Sequence, residues 1–212
     1  MEIRPTEHQV KDLHKLIIGC VVPRPIAWVT SLAENERVNL APFSFFNGVC
    51  SNPPTVSISF SWNPGSDDHL KDTWRNIRAR GEFVVNMVDE AHAERMNLTS
   101  ADFPPGESEL EYAGLETAAP ATGATPRIAG APVCFECSLS HSIDIGEGPG
   151  SATLVLGTVR HVYVADGIID DRLRVDVHAL RPVGRLAGAQ YCRVRDVFEM
   201  PRPSYTDLRP EE

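Results

Sequence analysis

The sequence predicts a mainly β protein with a few helices, its strands rolled into a small barrel. Three observations carry this. Two short apolar runs, Ile26–Leu32 and Val38–Pro42, flank the polar turn Ala33-Glu34-Asn35-Glu36-Arg37, which is the pattern of a β-hairpin. Pro54–Ser61 alternates, with Val56, Ile58 and Phe60 on one face and Thr55, Ser57 and Ser59 on the other, as a half-buried strand does. Strands recur at short intervals with few helical stretches between them, and the G-x-G-x-x-G turn of a doubly wound parallel sheet is absent.

The other elements follow in order. Thr6–Leu16 has weak helical character, and His8, Lys11, Asp12 and Lys15 give it a solvated surface. Asn63-Pro64-Gly65-Ser66 is a turn. After it, Leu70, Trp74 and Ile77 recur at helical spacing, and Gly81 stands where the helix should stop. Glu82–Val88 reads as a strand, and Asp89–Asn97 as a short helix with Ala91, Glu94 and Arg95 on its surface. Thr99–Gly130, rich in Pro, Gly, Ala and Thr, is an irregular excursion with one helical turn near Glu107–Tyr112; a lid, a dimer contact and a surface loop are all open for it. Val133–Ser142 and Ser151–Ala165 are strands joined by the Gly-rich turn Ile145–Gly150, and Val183–Tyr191 is a short Gly-containing segment. Residues 1–200 are expected to form one domain, with 201–212 a Pro-rich charged tail.

Composition narrows the function. With 212 residues, 42% hydrophobic and 23% charged, the chain has material for a real core. A net charge of −9 argues against nucleic acid or an anionic membrane as partner, since both need a basic face, while leaving room for an anionic small molecule in a local basic pocket. No apolar run approaches the ~20 residues that span a bilayer. No export signal is visible at the N-terminus, and five scattered cysteines read as reduced thiols, so a cytoplasmic protein is expected.

Several residues invite chemistry. Asn39, Ala41 and Ser44 put small groups at a strand end, where backbone can approach a ligand; Phe43, Phe45 and Phe46 beside them offer flat rings or packing. Lys71-Asp72-Thr73 opens a helix, where unpaired N–H groups and partial positive charge favour an anion. With Asp68 or Asp72 as cap, Lys71 and Thr73 hold a phosphate; the alternative is a capped, solvated surface helix. Arg24, stiffened between two prolines, suits either a ring or phosphate contact or a structural salt bridge. Cys134-Phe135-Glu136-Cys137 has C-x-x-C spacing, but residues three apart on a strand face opposite ways, so ordinary cysteines are expected rather than a metal site. His141, His161 and His178 read as structural, and no G-x-S-x-G elbow supports serine chemistry.

Five blocks together resemble one family. V-x-P-R-P-I-A-W-V-T-S, N-L-A-P-F-S-F-F, P-P-T-V-S-I-S-F and K-D-T-W-R-N-I-R-A-R-G-E-F-V-V-N, with Arg185–Tyr191 as an R-x-G-G-x-x-Y-like element, are similar to the flavin reductase-like proteins with an FMN-binding split barrel. The match runs from about Val21 to Tyr191, and Ala187 stands where the family's first Gly is usual. The resemblance implies a split β-barrel in a homodimer, with FMN near the subunit interface. It assigns flavin or its ribityl chain to Thr30, Ser31 and the Asn39–Ser44 stretch, phosphate to Lys71 and Thr73, and further contacts to Arg24 and Tyr191. It implies an NAD(P)H-dependent flavin reductase in which NADH or NADPH passes hydride to flavin N5, with no protein acid or base required. Electrons then go to free flavin, a partner monooxygenase or another acceptor. An FMN electron-transfer protein without direct NAD(P)H oxidation and a non-catalytic flavin-binding module are the alternatives.

Overall fold

The computed structural model describes residues 1–104 and 107–205. After a 3-10 turn at Pro5–Glu7 come α1 (Val10–Cys20), β1 (Ala27–Leu32), β2 (Val38–Phe43), β3 (Phe46–Ser51), β4 (Pro54–Ser61), α2 (Asp72–Arg80) and β5 (Glu82–Met87). Then follow α3 (Ala93–Leu98), α4 (Glu109–Ala113), β6 (Thr117–Ala118), β7 (Arg127–Ile128), β8 (Val133–Ile145), β9 (Ala152–Val164), α5 (Val177–Leu180), β10 (Val183–Arg185) and β11 (Tyr191–Arg193).

Seven strands form one antiparallel sheet in the order β2-β1-β5-β8-β9-β4-β3. Its two edge strands, β2 and β3, are consecutive in the chain and separated only by Ser44 and Phe45. The sheet must therefore roll until its edges meet at that corner. Ser59 N donates to Phe45 O at 2.9 Å there, and the Phe43 ring meets Phe60 edge-on at 4.7 Å. The barrel is closed by a covalent corner rather than by a continuous ladder.

Period-2 side chains divide the core between the two faces of this sheet. Val29, Ile58, Phe83, Val85 and Cys137 fill the barrel, and Trp74 and Ile77 of α2 pack into it. Trp28, Leu40, Val84 and Cys134 face outward against Met96 of α3, Ile128 and Val183. Every residue of β1 is buried because both of its faces are covered. Cys134 and Cys137 lie in different clusters, as the strand spacing predicts, and burial pushes both thiols up to about 12.

Several elements depart from the sequence reading. The first helix runs over Val10–Cys20 rather than Thr6–Leu16, because Pro5–Glu7 closes a separate turn and His8 is extended. The short helix begins at Ala93, after Ala91, because Asp89–His92 forms a turn in which His92 N donates to the Asp89 carboxylate at 3.0 Å. β8 continues to Ile145, and β3 was not anticipated. Beyond Phe46, β3 is exposed on both faces and so carries no alternating pattern.

The excursion after Thr99 is docked rather than a plain surface loop. Glu136 accepts from Ala121 N (2.7 Å), Thr122 N (2.5 Å) and Thr122 Oγ1 (2.6 Å). Glu82 accepts from Ala124 N (2.9 Å), Thr125 N (2.8 Å) and Thr125 Oγ1 (2.8 Å). Two strand carboxylates thus each satisfy two loop amides that would otherwise need water. The end of the tail expectation, 206–212, lies outside the described residues.

Candidate functional site

The β1–β2 register sets Ser31 opposite Asn39 and Val29 opposite Ala41. Asn39 Nδ2 donates to Thr73 Oγ1 at 2.8 Å and to Ser31 Oγ at 3.4 Å, and Asn76 Nδ2 donates to Ser31 Oγ at 3.1 Å. The hairpin and the start of α2, distant in sequence, are joined by this polar network. Ser31 and Thr73 are buried in it, and Ala41 is half-buried on the same strand. Asn76 was missed in the sequence, although it stands one turn after Thr73 on the same helix face.

Lys71 itself is the N-cap of α2, with extended backbone (φ −71, ψ 143), and no side chain caps the helix. Neither Asp68 nor Asp72 takes the capping role expected of them. Asp68 instead accepts from Leu70 N at 3.1 Å, and Arg75 bridges both acids. Hydrogen bonds from Arg75 and Leu70 hold the Asp68 carboxyl well below the usual carboxylate range. With these two acids matched by Arg75, Lys71 adds its charge to the uncapped first turn, whose amides lack intrahelical acceptors. The closest acid to its ammonium is the exposed Asp102, at 4.0 Å. An uncapped helix start, an adjacent lysine and the Thr73 hydroxyl suit an anion, and the small side chains of Asn39, Ala41 and Ser44 leave room for backbone approach.

The other expected residues lie elsewhere. Thr30 points to the opposite face of β1 and donates to Pro126 O at 2.6 Å. Arg24 is buried and donates to Ile18 O and Val21 O (2.7 Å each), Leu186 O (2.9 Å) and Ser44 Oγ (3.3 Å). Its hydrogen bonds go to carbonyls and a hydroxyl, its guanidinium lies 5.9 Å from the centroid of the Phe45 ring, and no described acid makes the salt bridge considered from the sequence. Burial, with the charge of Arg185 nearby, lowers its pKa. Arg24 ties the end of α1, the Ser44 corner and the loop after β10 together, and its main chain pairs with Arg185 (3.0 and 2.8 Å). Tyr191 donates to Asn97 Oδ1 at 3.1 Å, and the Arg185 guanidinium sits 4.4 Å over its ring. Of the three phenylalanines, Phe43 and Phe46 pack in the core, while Phe45 remains partly exposed near His14.

A cleft of about 610 Å³ opens beside Lys71, between the end of β4, the start of α2 and the β8–β9 hairpin. That volume lies within the range of small-molecule sites. Among the described residues no group of three His, Cys, Asp or Glu side chains could hold a metal ion. No described helix is long and apolar enough to cross a membrane.

Comparison with known proteins places this geometry. A protein of Halalkalibacterium halodurans is 40% identical over 211 residues, 99% of this chain and the full length of that protein. Nitrilotriacetate monooxygenase component B from Bacillus cereus superposes with a TM-score of 0.89 at 36% identity, covering 94% of this chain and 98% of that one. The 2-nitrobenzoate 2-nitroreductase NbaA of Pseudomonas fluorescens superposes at 0.86 with 38% identity, covering 97% and 98%. A putative flavin reductase with a split barrel domain, from Shewanella frigidimarina, shares the fold at 18% identity and a TM-score of 0.81. The family model described as flavin reductase like domain matches residues 18–179, and the chain, a split barrel, belongs to that family.

Proposed function

We propose that this protein is an FMN-binding oxidoreductase that takes hydride from NADH or NADPH and passes the electrons to a second acceptor. The observation that carries this reading is the network joining Ser31 and Asn39 of the hairpin to Thr73, beside the uncapped, lysine-bearing start of α2. Lys71 and the α2 amides hold the phosphate, with Thr73 donating its hydroxyl hydrogen while Asn39 donates to its oxygen. Ser31, Asn39 and Ala41 fix the ribityl side, and Ser44, anchored by Arg24, fixes the corner beside the ring. Thr30 and Tyr191 act one layer behind, holding β1 to the loop before β7 and β11 to α3. A bound flavin supplies the hydride chemistry; the protein supplies position and electrostatics.

The working form is a homodimer. No residue of α1 is buried, and its Leu16 and Ile17 stand exposed, as do Phe45, Val49, Ile143 and Ile145. A second copy covering these surfaces removes them from water. A flavin monooxygenase is the proposed acceptor, in line with the component B relative; direct reduction of a nitroaromatic is the second reading, favoured by the nitroreductase relative. The location proposed is the cytoplasm. Desalting after incubation with FMN tests the first step. One FMN retained per chain, on a particle sedimenting as a dimer, is expected; colourless protein after desalting at micromolar concentration counts against tight FMN binding, and a flavin-loaded monomer counts against the dimer.

A further inference from the structure

The cleft beside Lys71 has a built aromatic floor that an FMN phosphate does not use. Trp62 and His69 stack with centroids 4.4 Å apart and planes at 30°. The loop between them is folded on itself to hold that arrangement. Trp62 N donates to Ser151 O (2.9 Å), Asn63 N to His69 O (2.8 Å) and His69 N to Ser66 O (3.1 Å). His69 adopts φ +58, a left-handed conformation that costs a non-glycine residue free energy and that the surrounding bonds impose. Yet the His69 side chain is left exposed. Backbone strain held in place to lay one partly open ring on another makes a platform for a third flat ring.

The rim opposite is acidic. Asp144 accepts from Thr153 Oγ1 at 2.7 Å through one oxygen, and Glu147 stands at the hairpin turn; both line the cleft with Trp62, His69 and Lys71. Carboxylates suit a base with amine donors and ribose hydroxyls, and they oppose additional phosphates. The only Lys or Arg among the lining residues is Lys71; Asp68, which also lines the cleft, is paired with Arg75. A ligand with one flat amine-bearing base and phosphate at a single end matches that polarity.

We infer that this cleft is a subsite for the adenosine 5′-phosphate half of a dinucleotide, with adenine stacked on Trp62–His69, its exocyclic amine toward Asp144 and Glu147, and phosphate at Lys71. The inference rests on the flavin phosphate lying at Lys71 and extends that site outward. FAD and NADH carry the same moiety, and either brings it to the cleft.

Calorimetry separates the possibilities. AMP should bind the flavin-free protein and weaken about tenfold or more in Trp62→Ala, the scale of one base–aromatic stack. Trp62→Phe, which keeps a ring, should restore most of the loss, and FMN affinity should stay unchanged in both variants. IMP, with a carbonyl in place of the amine, should bind wild-type protein about tenfold more weakly than AMP; this arm needs no variant and stands if Trp62→Ala does not fold. A Trp62-dependent advantage of FAD over FMN identifies the flavin dinucleotide as the source. A Trp62-dependent NADH affinity on the flavin-free protein identifies the nicotinamide dinucleotide. Equal AMP affinity in wild type and folded Trp62→Ala, or IMP binding as tightly as AMP, overturns the subsite. Failure of FMN to bind wild-type protein overturns the phosphate reading beneath it, and the FMN arm reports that failure separately.

Discussion

Replacing Lys71 and Thr73 by alanine removes two contacts to the proposed phosphate that differ in kind. Lys71 contributes a charge-assisted hydrogen bond, about 1.5–3 kcal/mol in a protected site. Its side chain is 35% exposed, so solvent screening brings the figure toward the lower end. Thr73 is buried and contributes a neutral hydroxyl bond of about 1 kcal/mol. The double variant should therefore bind FMN about 2 kcal/mol or more weaker, roughly thirtyfold in Kd. Thr73→Ala has a second effect, because it removes the 2.8 Å acceptor of Asn39 Nδ2. That leaves Asn39 with only its longer bond to Ser31, and stability should fall by about 1–2 kcal/mol. Lys71→Ala alone, at the surface, should weaken FMN without changing the urea midpoint. Flavin fluorescence titration gives the Kd, and urea denaturation the stability. Unchanged FMN affinity in the folded double variant refutes the phosphate assignment.

Three further outcomes are expected. Arg24→Lys keeps the charge but cannot reach four acceptors, so the urea midpoint should drop by an amount equal to roughly 3 kcal/mol; an unchanged midpoint denies Arg24 its tying role. Glu90, hydrogen-bonded by Arg195 and Arg181 and paired with Arg193, has its pKa lowered from 4.5 to about 2. Because the folded value is the lower one, its contribution is complete above about pH 4.5 and is lost as pH falls toward 2; Glu90→Gln should flatten that part of the stability–pH curve, and an identical curve contradicts the assignment. Exposed Cys20 and Cys50 should react quickly with a thiol reagent in native protein, while Cys134 and Cys137 wait for unfolding; rapid modification of the C-x-x-C pair contradicts its burial on opposite sheet faces.

Where local periodicity and tertiary burial agree, the chain is legible. The Ile26–Pro42 hairpin, the Pro54–Ser61 alternation and the Leu70/Trp74/Ile77 helix ending at Gly81, which takes φ +75, all survive with small shifts at their ends. β3 is not legible, since its polar, doubly exposed residues reflect a sheet edge rather than an apolar face. Glu82 and Glu136 could not be read as loop anchors, because their partners are backbone amides some 14 to 43 residues away. The site was half legible. The small residues of the hairpin and the lysine at the helix start are local signals, and the Asn39–Thr73 bond shows the fold joining them. For Arg24 the two prolines announce rigidity without saying toward what; three of its four acceptors are carbonyls, which any residue type supplies.

Flavin held at the Asn39–Thr73 junction is expected to accept hydride from a nicotinamide. Anaerobic titration of the FMN-loaded protein with NADH, and separately with NADPH, tests it most directly through flavin absorbance. At least one donor should bleach the flavin band with one equivalent per FMN. Full retention of the oxidised spectrum with both donors present in excess contradicts it.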